Sequence, residues 1–235
     1  MNIGIFTDSH YSSAEITCGC RYNSRSLDKI REAYRIFAEA GCEMVLCLGD
    51  LTDTEKTYEA ECENLRACAA VIDASGIPTL CVMGNHDAFV FTEEAFYALI
   101  GEPHRPHTVT VGSVTLLFLD ACHASDGRHY QPGGDFHWTD TCYPHTDALR
   151  EQLQACTGEV WVCMHQNIDP AIREDHRLSN AAQIRDIISE FPSVTHVLQG
   201  HYHAGNDNTD GGIRYLTLPA LCERDTAEAV RIFEV

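Results

Sequence analysis

The stretch Pro78-Thr79-Leu80-Cys81-Val82-Met83-Gly84-Asn85-His86-Asp87 governs the interpretation of this 235-residue chain. Its apolar first part, residues 78–83, predicts a buried β-strand. Its polar second part, residues 84–87, predicts a tight turn, because Gly and Asn are common turn residues. The sequence therefore predicts that one turn at a strand end carries an amide, an imidazole and a carboxylate.

Four further predicted strands end in polar residues of the same kind. They are followed by Asp8-Ser9-His10, Gly49-Asp50-Leu51-Thr52-Asp53, His165, and Gly200-His201-Tyr202-His203. The strands themselves are predicted at residues 2–7, 44–48, 160–164 and 194–199. Any one of these clusters has an ordinary structural explanation, but five in order behind buried strands are uncommon. Because the ligand-binding residues of α/β proteins gather at the carboxyl ends of strands, we expect one shared site.

The remaining sequence alternates helical and strand patterns. Helices are predicted at residues 27–40, 55–74, 92–100, 145–155 and 180–190, and further strands at 107–111, 114–120, 213–218 and 228–234. The early alternation predicts parallel β-α-β units, and the later strand pairs predict mixed sheets with helices on both outer faces. Segments 121–143 and 166–179 are predicted as loops. The even spread of apolar runs predicts a single domain over residues 1–235.

The composition disfavours two classes of partner. The chain has 16 Lys and Arg residues against 35 Asp and Glu residues, a formal charge of −19, which disfavours binding to a nucleic acid polymer. It shows no apolar run of membrane-spanning length and no signal-like start, so we expect no membrane partner and a cytoplasmic location. The 12 cysteines are then expected to be mostly reduced thiols. Cys18 and Cys20 lack a second pair at zinc-finger spacing, and their role is left open.

The side chains of the clusters suit a transition-metal site. The candidate ligands offer only nitrogen and oxygen atoms and are Asp8, His10, Asp50, Asn85, His165, His201 and His203. This donor set suits Mn, Fe, Zn or Co better than a soft metal. It is too large for one tetrahedral ion and fits two ions that share a carboxylate, ~3.5–4 Å apart, which together would hold a phosphoryl group. Two divalent ions would outweigh the two carboxylates, so the site would be locally positive and attract phosphate.

The complete pattern resembles the calcineurin-like metallophosphoesterase superfamily over residues 8–203, with no departure at a metal position. The resemblance implies an α/β fold, namely a four-layer α-β-β-α sandwich of two mixed β-sheets flanked by helices. It places a dinuclear centre of transition metal ions (Mn, Fe or Zn) between the sheets. It also implies hydrolysis through attack by a metal-bound hydroxide.

The same resemblance assigns roles to individual residues. One ion would be held by Asp8, His10 and His203, the other by Asn85, His165 and His201, and Asp50 would bridge the two. His86 matches the catalytic histidine that protonates the leaving oxygen, a role that suits an imidazole near neutral pH. Asp53 matches the carboxylate that orients this histidine, although it could equally cap the helix that follows it.

A narrower resemblance concerns the substrate. Arg21-Tyr22, Ser26-Leu27 and the run His201-Tyr202-His203-Ala204-Gly205 are similar to the manganese-dependent ADP-ribose/CDP-alcohol diphosphatase branch, which often has Gln in place of His10. On this basis a small set of loop residues becomes candidate substrate contacts: Arg21, Tyr22, Trp138, Arg173 and Arg177. Ordinary solvation and packing of loops is the alternative explanation for each of them.

The sequence thus predicts a metal-dependent phosphoesterase that hydrolyses a phosphoester or phosphoanhydride of a small, nucleotide-like molecule. A cyclic-nucleotide or other small phosphodiesterase is the alternative that the sequence hardly separates from it. A nuclease is disfavoured, because the chain lacks a basic track for the nucleic acid strand. A catalytically silent metal-binding scaffold is disfavoured too, because all seven ligands and His86 are present. The oligomeric state is left open.

Overall fold

The computed structural model describes residues 1–235 and contains ten strands and seven helices. The strands are β1 Asn2–Phe6, β2 Cys42–Cys47, β3 Thr79–Cys81, β4 Val109–Val111, β5 Val114–Leu119, β6 Glu159–Met164, β7 Val194–Gln199, β8 Asn206–Asp210, β9 Ile213–Thr217 and β10 Arg231–Glu234. The helices are α1 Ser26–Glu39, α2 Tyr58–Ser75, α3 Asn85–Val90, α4 Glu93–Ile100, α5 Thr146–Ala155, α6 Ala181–Ser189 and α7 Thr226–Ala229.

The strands form two mixed sheets. The four-stranded sheet has the order β10-β1-β2-β3, and the six-stranded sheet has the order β4-β5-β6-β7-β9-β8. The central strands run parallel in both sheets, while β10, β4 and β8 pair antiparallel at the edges. Since parallel neighbours align their carboxyl ends, each sheet presents its central strand ends along one edge.

Alternation of side chains along the strands builds the layers. In β1, Ile3 and Ile5 point to a core that also receives Leu116 of β5 and Trp161 of β6, so this core lies between the sheets. Phe6 points the other way, to a core shared with α1 and α2. A third core joins the outer face of the six-stranded sheet to α5 and α6. The chain is therefore the expected α-β-β-α sandwich, and its period-two patterning creates the two faces of each sheet. No helix combines the length and the apolar character that crossing a membrane requires.

The structure corrects the interpretation of residues 78–87. The strand is limited to Thr79–Cys81, and Asn85–Val90 form helix α3 where a tight turn is predicted. Asp87 stabilises the start of this helix, because its Oδ2 accepts a hydrogen bond of 3.0 Å from the N–H of Gly84. A helix of six residues is too short to show a helical period in sequence, which explains the wrong prediction.

Two other regions differ from the prediction. Asn206–Asp210 forms β8, although its sequence Asn-Asp-Asn-Thr-Asp contains no apolar residue. This strand lies at the sheet edge, and its antiparallel pairing with β9 supplies the order that its own propensity lacks. Near the end of the chain, Thr226–Ala229 is the short helix α7, so the last strand begins at Arg231 and not at residue 228.

Candidate active site

The polar clusters meet where the two sheets face each other. The four-stranded sheet supplies candidate ligands from the ends of β1, β2 and β3: Asp8, His10, Asp50 and Asn85. The six-stranded sheet supplies three histidines from the ends of β6 and β7: His165, His201 and His203. All seven side chains are buried or nearly so, since even His203 leaves only 16% of its side chain exposed. The sandwich thus joins donors that are almost 200 residues apart in the chain.

Interatomic distances divide the donors into two groups. In the first group, Nε2 of His203 lies 3.1 Å from Nε2 of His10 and 3.3 Å from Oδ1 of Asp8. In the second group, Nε2 of His165 lies 3.2 Å from Oδ1 of Asn85, and the ring of His201 is centred 5.2 Å from that of His165.

Asp50 reaches both ligand groups. Its Oδ2 lies 3.5 Å from Nε2 of His10 and 3.2 Å from Nε2 of His165. Its Oδ1 accepts a hydrogen bond of 2.9 Å from the N–H of His86, which fixes the carboxylate in this position. Asp50 is therefore the side chain best placed to contact two ions at once.

Four of the candidate ligands have a left-handed backbone. The φ angles are 53° at Asp8, 45° at His10, 54° at Asp50 and 66° at His201, and only one other non-glycine residue shares this conformation. Such a conformation costs on the order of 1–3 kcal/mol per residue and persists only where the surrounding structure imposes it. Here it turns the chain abruptly at each strand end, so that the side chains converge.

Two glycines allow this close convergence. A Cβ atom at Gly84 would lie 2.1 Å from Oδ1 of Asp50, and one at Gly49 would lie 2.6 Å from Nδ1 of His165. The φ of Gly84 is −96°, so this residue is required for close approach and not for a turn, contrary to the role predicted for it. Gly49 combines close approach with a positive φ of 102°.

Two of the histidines are oriented by acceptors behind them. The carbonyl oxygen of Leu48 lies 2.7 Å from Nδ1 of His165, and Oε1 of Glu223 lies 2.5 Å from Nδ1 of His203. Each acceptor accepts a hydrogen bond from Nδ1–H, so that Nε2 is directed at the candidate centre. An imidazole that binds a metal is generally held in this way by its second nitrogen.

The electrostatics of the site favour positive charge. Burial alone raises the pKa of Asp8 and Asp50, but the neighbouring histidines outweigh burial and hold both pKa values well below the ordinary range. Burial lowers the pKa of His165 and His203, yet Asp50 raises the first to about 10, and Asp8 with Glu223 raises the second to about 9. The buried carboxylates thus remain ionised and draw cations into the space between them.

The atoms left without partners also fit a metal. Oδ2 of Asp8 accepts hydrogen bonds from Oγ1 of Thr7 at 2.7 Å and from the N–H of His201 at 3.0 Å. Oδ1 of the same carboxylate is buried and accepts none, although it faces His10 and His203. A buried carboxylate oxygen with no donor is costly unless a cation satisfies it. The donor set and this free oxygen therefore fit metal binding.

His86 lies beside the candidate centre. Its Nδ1 is 3.1 Å from Oδ1 of Asp53, and its Nε2 is 3.5 Å from Nη1 of Arg21. Burial opposes protonation of His86, but Asp50 and Asp53 outweigh burial and raise its pKa. The structure therefore places an imidazole that favours its protonated form beside the candidate metal ligands, with Asp53 behind it.

A cavity of about 660 Å³ opens above these side chains. Asp50, Asn85, His86, His201 and His203 form its floor, and Arg21 and Trp138 belong to its wall. The cysteines whose role was left open also line it, and Sγ of Cys20 lies 3.2 Å from Oε1 of Glu223.

Three of the predicted substrate residues do not line this cavity. Tyr22 is exposed at the protein surface, where the cations of Arg25 and Lys29 lie over its ring. Arg173 is exposed and paired with Asp175. Arg177 lines a separate depression next to α6. Of the five predicted contacts, the structure therefore brings only Arg21 and Trp138 to the cavity.

Sequence reasoning missed several residues that the structure brings to the site. Glu223, Phe89, His176 and Asn23 are the clearest, of which Asn23 donates hydrogen bonds to the carbonyl of His10 and to Oδ2 of Asp53. None of them follows a predicted strand or belongs to a recognisable spacing. The proximity of His176 to Trp138, with ring centres 4.9 Å apart, depends on how two loops pack and has no sequence signal.

Comparison with known proteins gives a consistent result. The sequence model of the calcineurin-like phosphoesterase family matches residues 1–205. A protein of Psychrobacter arcticus named "probable cyclic nucleotide phosphodiesterase" is 25% identical over 244 residues, covering 94% of this chain and 80% of that protein.

Solved structures show the same fold at low sequence identity. A dimetal phosphatase from Danio rerio has a TM-score of 0.85 at 18% identity and covers 99% of this chain and 91% of its own. A phosphopantetheinyl hydrolase from Mycobacterium tuberculosis has a TM-score of 0.60 at 12% identity, covering 99% and 95% respectively. These structures resemble the chain in fold, and the arrangement of side chains must carry any conclusion about the reaction.

Proposed function

Because the chain belongs to the calcineurin-like phosphoesterase family and is a metal-dependent hydrolase, we propose that it cleaves a phosphodiester or phosphoanhydride bond in a small, nucleotide-like molecule. The observation that supports this most is the position of Asp50 between two ligand groups, with His86 beside it. That arrangement provides for two cations and one proton donor, the components needed to stabilise a transferred phosphoryl group and to release an alkoxide.

We propose that the first ion is held by Asp8, His10 and His203, the second by Asn85, His165 and His201, and that Asp50 contacts both. The distances within each group and the free oxygen of Asp8 support this division. When bound, the two ions would stabilise charge on the phosphoryl oxygens and lower the pKa of an attacking water.

Side chains of the protein would transfer the proton and orient the substrate. His86 is protonated at Nε2 and gives this proton to the leaving oxygen, while Asp53 accepts the hydrogen bond from Nδ1 and keeps the ring in place. Arg21, whose Nη1 lies 3.5 Å from Nε2 of His86, would pair with a phosphate oxygen next to the leaving group. The chain thus supplies charge and orientation on the side of the leaving group.

The cavity supports a substrate larger than a simple phosphate. Its volume of about 660 Å³ falls in the range of small-molecule sites, and Phe89, Phe136 and Trp138 supply aromatic surface for a base or similar ring. A cyclic nucleotide is the second candidate, and the name of the Psychrobacter arcticus relative favours it. The formal charge of −19 argues against a polymeric nucleic acid.

A substrate panel separates these possibilities. Purified protein loaded with Mn²⁺ is incubated with cyclic AMP, ADP-ribose, CDP-choline and a p-nitrophenyl phosphodiester, and the products are resolved by chromatography. Turnover of ADP-ribose or CDP-choline supports a diphosphatase, and turnover of cyclic AMP alone supports the cyclic phosphodiesterase. A protein that holds two ions and hydrolyses none of the four would contradict the proposed function.

A further inference from the structure

A second cluster of metal-binding side chains lies outside the candidate active site. Asp120 follows the end of β5, and His123 and His129 belong to the loop after it. One ligand atom from each of the three lies within 4.8 Å of the other two. None of the three lines the cavity described above. We propose that this cluster is an independent site for a single zinc-class cation.

The state of His123 supports this proposal directly. Only 6% of the residue is exposed, and its Nδ1 is buried and has no hydrogen-bond partner. Buried polar atoms in folded proteins are nearly always paired, so an orphaned nitrogen on a ring centred 4.8 Å from the ring of His129 needs an explanation. A bound cation supplies one.

His129 is oriented as a metal ligand would be. The carbonyl oxygen of Tyr130 lies 2.7 Å from its Nδ1, so Nδ1 carries the proton and donates it. Nε2 lies 2.9 Å from Oδ2 of Asp120 and pairs with it when no cation is bound, and a cation would take the place of the shared proton. A ligating histidine typically donates its other N–H to a carbonyl or carboxylate in this way.

The donor set and the exposure of the site define the ion. Two imidazole nitrogens and one carboxylate oxygen suit Zn²⁺, with water completing a tetrahedron. The side chain of Asp120 is 40% exposed and that of His129 is 27% exposed, so an ion can reach the site from solvent. The competing arrangement is a metal-free ion pair between a protonated His129 and Asp120, which leaves Nδ1 of His123 without a partner.

A cation bound at this site would fix the position of one wall of the substrate cavity. Tyr130 directly follows His129 and stacks between Phe89 and Phe136, at ring distances of 4.9 Å and 4.8 Å. Phe89 and Phe136 both line the cavity. A cation that joins Asp120 to His123 and His129 closes the base of this loop onto β5 and thereby holds the three stacked rings in place.

Counting zinc ions tests the proposal without an activity assay. Chelator-stripped protein is saturated with ZnCl₂, dialysed, and analysed for zinc per chain by mass spectrometry. We expect three equivalents for the unmodified protein and two for His129→Gln and for Asp120→Asn. The control His107→Gln changes an exposed histidine whose hydrogen bond is to the backbone carbonyl of Arg105, and it should keep three.

Two outcomes would overturn the proposal. One is a folded Asp120→Asn protein that binds as many equivalents as the unmodified protein, whatever that number is, which would leave Asp120 and His129 as a simple ion pair. The other is a folded His129→Gln protein that still binds three. Circular dichroism and a thermal melt establish that each variant is folded, and the Co²⁺ spectrum gives a second readout. Loss of one tetrahedral Co²⁺ signal in both site variants, but not in His107→Gln, is the expected result.

Discussion

The floor and the rim of the cavity are built in opposite ways. The floor lies at the ends of β2, β3 and β7, its side chains are mostly buried, and left-handed backbone at Asp50 and His201 together with the close approach of Gly84 to Asp50 helps to orient them. The rim, which is the upper wall of the cavity, consists of Arg21, the segment around Phe136 and Trp138, and His176. These residues lie in the connections between the named strands and helices. A rigid floor fixes the reaction, whereas loops that vary without disturbing the sheets determine which molecule enters.

The largest effect is expected from the centre of the floor. Asp50→Asn should weaken both ions together and reduce turnover by about 10⁴-fold, because Lewis-acid stabilisation is worth several kcal/mol and each 1.36 kcal/mol is tenfold in rate. Metal content and kcat are measured side by side, with Asp28→Asn as the exposed control. Loss of one ion with retention of the other would contradict the bridging position of Asp50.

The next effect separates proton transfer from metal binding within the floor. His86→Asn should keep both ions and reduce kcat by about 10²–10⁴-fold, the usual contribution of a general acid. The loss should shrink for a substrate whose leaving group needs no proton, such as a p-nitrophenyl ester. His107→Asn is the matched control at an exposed site. An unchanged kcat for an alkyl ester would rule out His86 as the acid.

A smaller effect is expected for Asp53, which contacts His86 and not the reacting atoms. Asp53→Asn should reduce kcat by about tenfold through the orientation of His86, with little change in KM. Because Asp53 helps to raise the pKa of His86, its loss should move the alkaline limit of activity to lower pH. Asp73→Asn removes a similar contact, 3.0 Å from His104, and should change neither quantity. A pH profile that does not move would show that Asp53 acts only in folding.

The smallest effect is expected at the rim. Trp138→Ala should raise KM for a nucleotide substrate about fivefold and leave kcat nearly unchanged, since stacking on one aromatic ring is worth about 1 kcal/mol. Ile16→Ala, an exposed apolar residue outside the cavity, is the control. A fall in kcat without a change in KM would mean that Trp138 acts on the floor, where its ring is centred 5.9 Å from that of His201.

The contrast between floor and rim also explains what the sequence could predict. Asp8, Asp50 and His165 follow strongly apolar strands. Since ligand residues gather at the carboxyl ends of such strands, their convergence could be predicted. The same patterning predicted mixed sheets with helices on both outer faces, whereas the arrangement of two sheets in four layers was implied by the family resemblance. Helix α3 was missed because it is short, and β8 because an edge strand is ordered mainly by its neighbour.

The rim could not be predicted for a physical reason. Whether Arg173 points into the cavity or pairs with Asp175 depends on loop conformation, for which the sequence carries no periodic signal. Glu223, which holds His203, lies 20 residues beyond it in a segment with no motif.

The left-handed backbone at Asp8, His10, Asp50 and His201 has a consequence for the lifetime of the protein. Without cations these residues combine conformational strain with the desolvation of buried carboxylates and imidazoles, and both raise the free energy of the folded chain. Ions that bind only the folded state lower it by an amount that grows with their free concentration. Bound metal would therefore raise the protein's resistance to proteolysis as well as support its reaction.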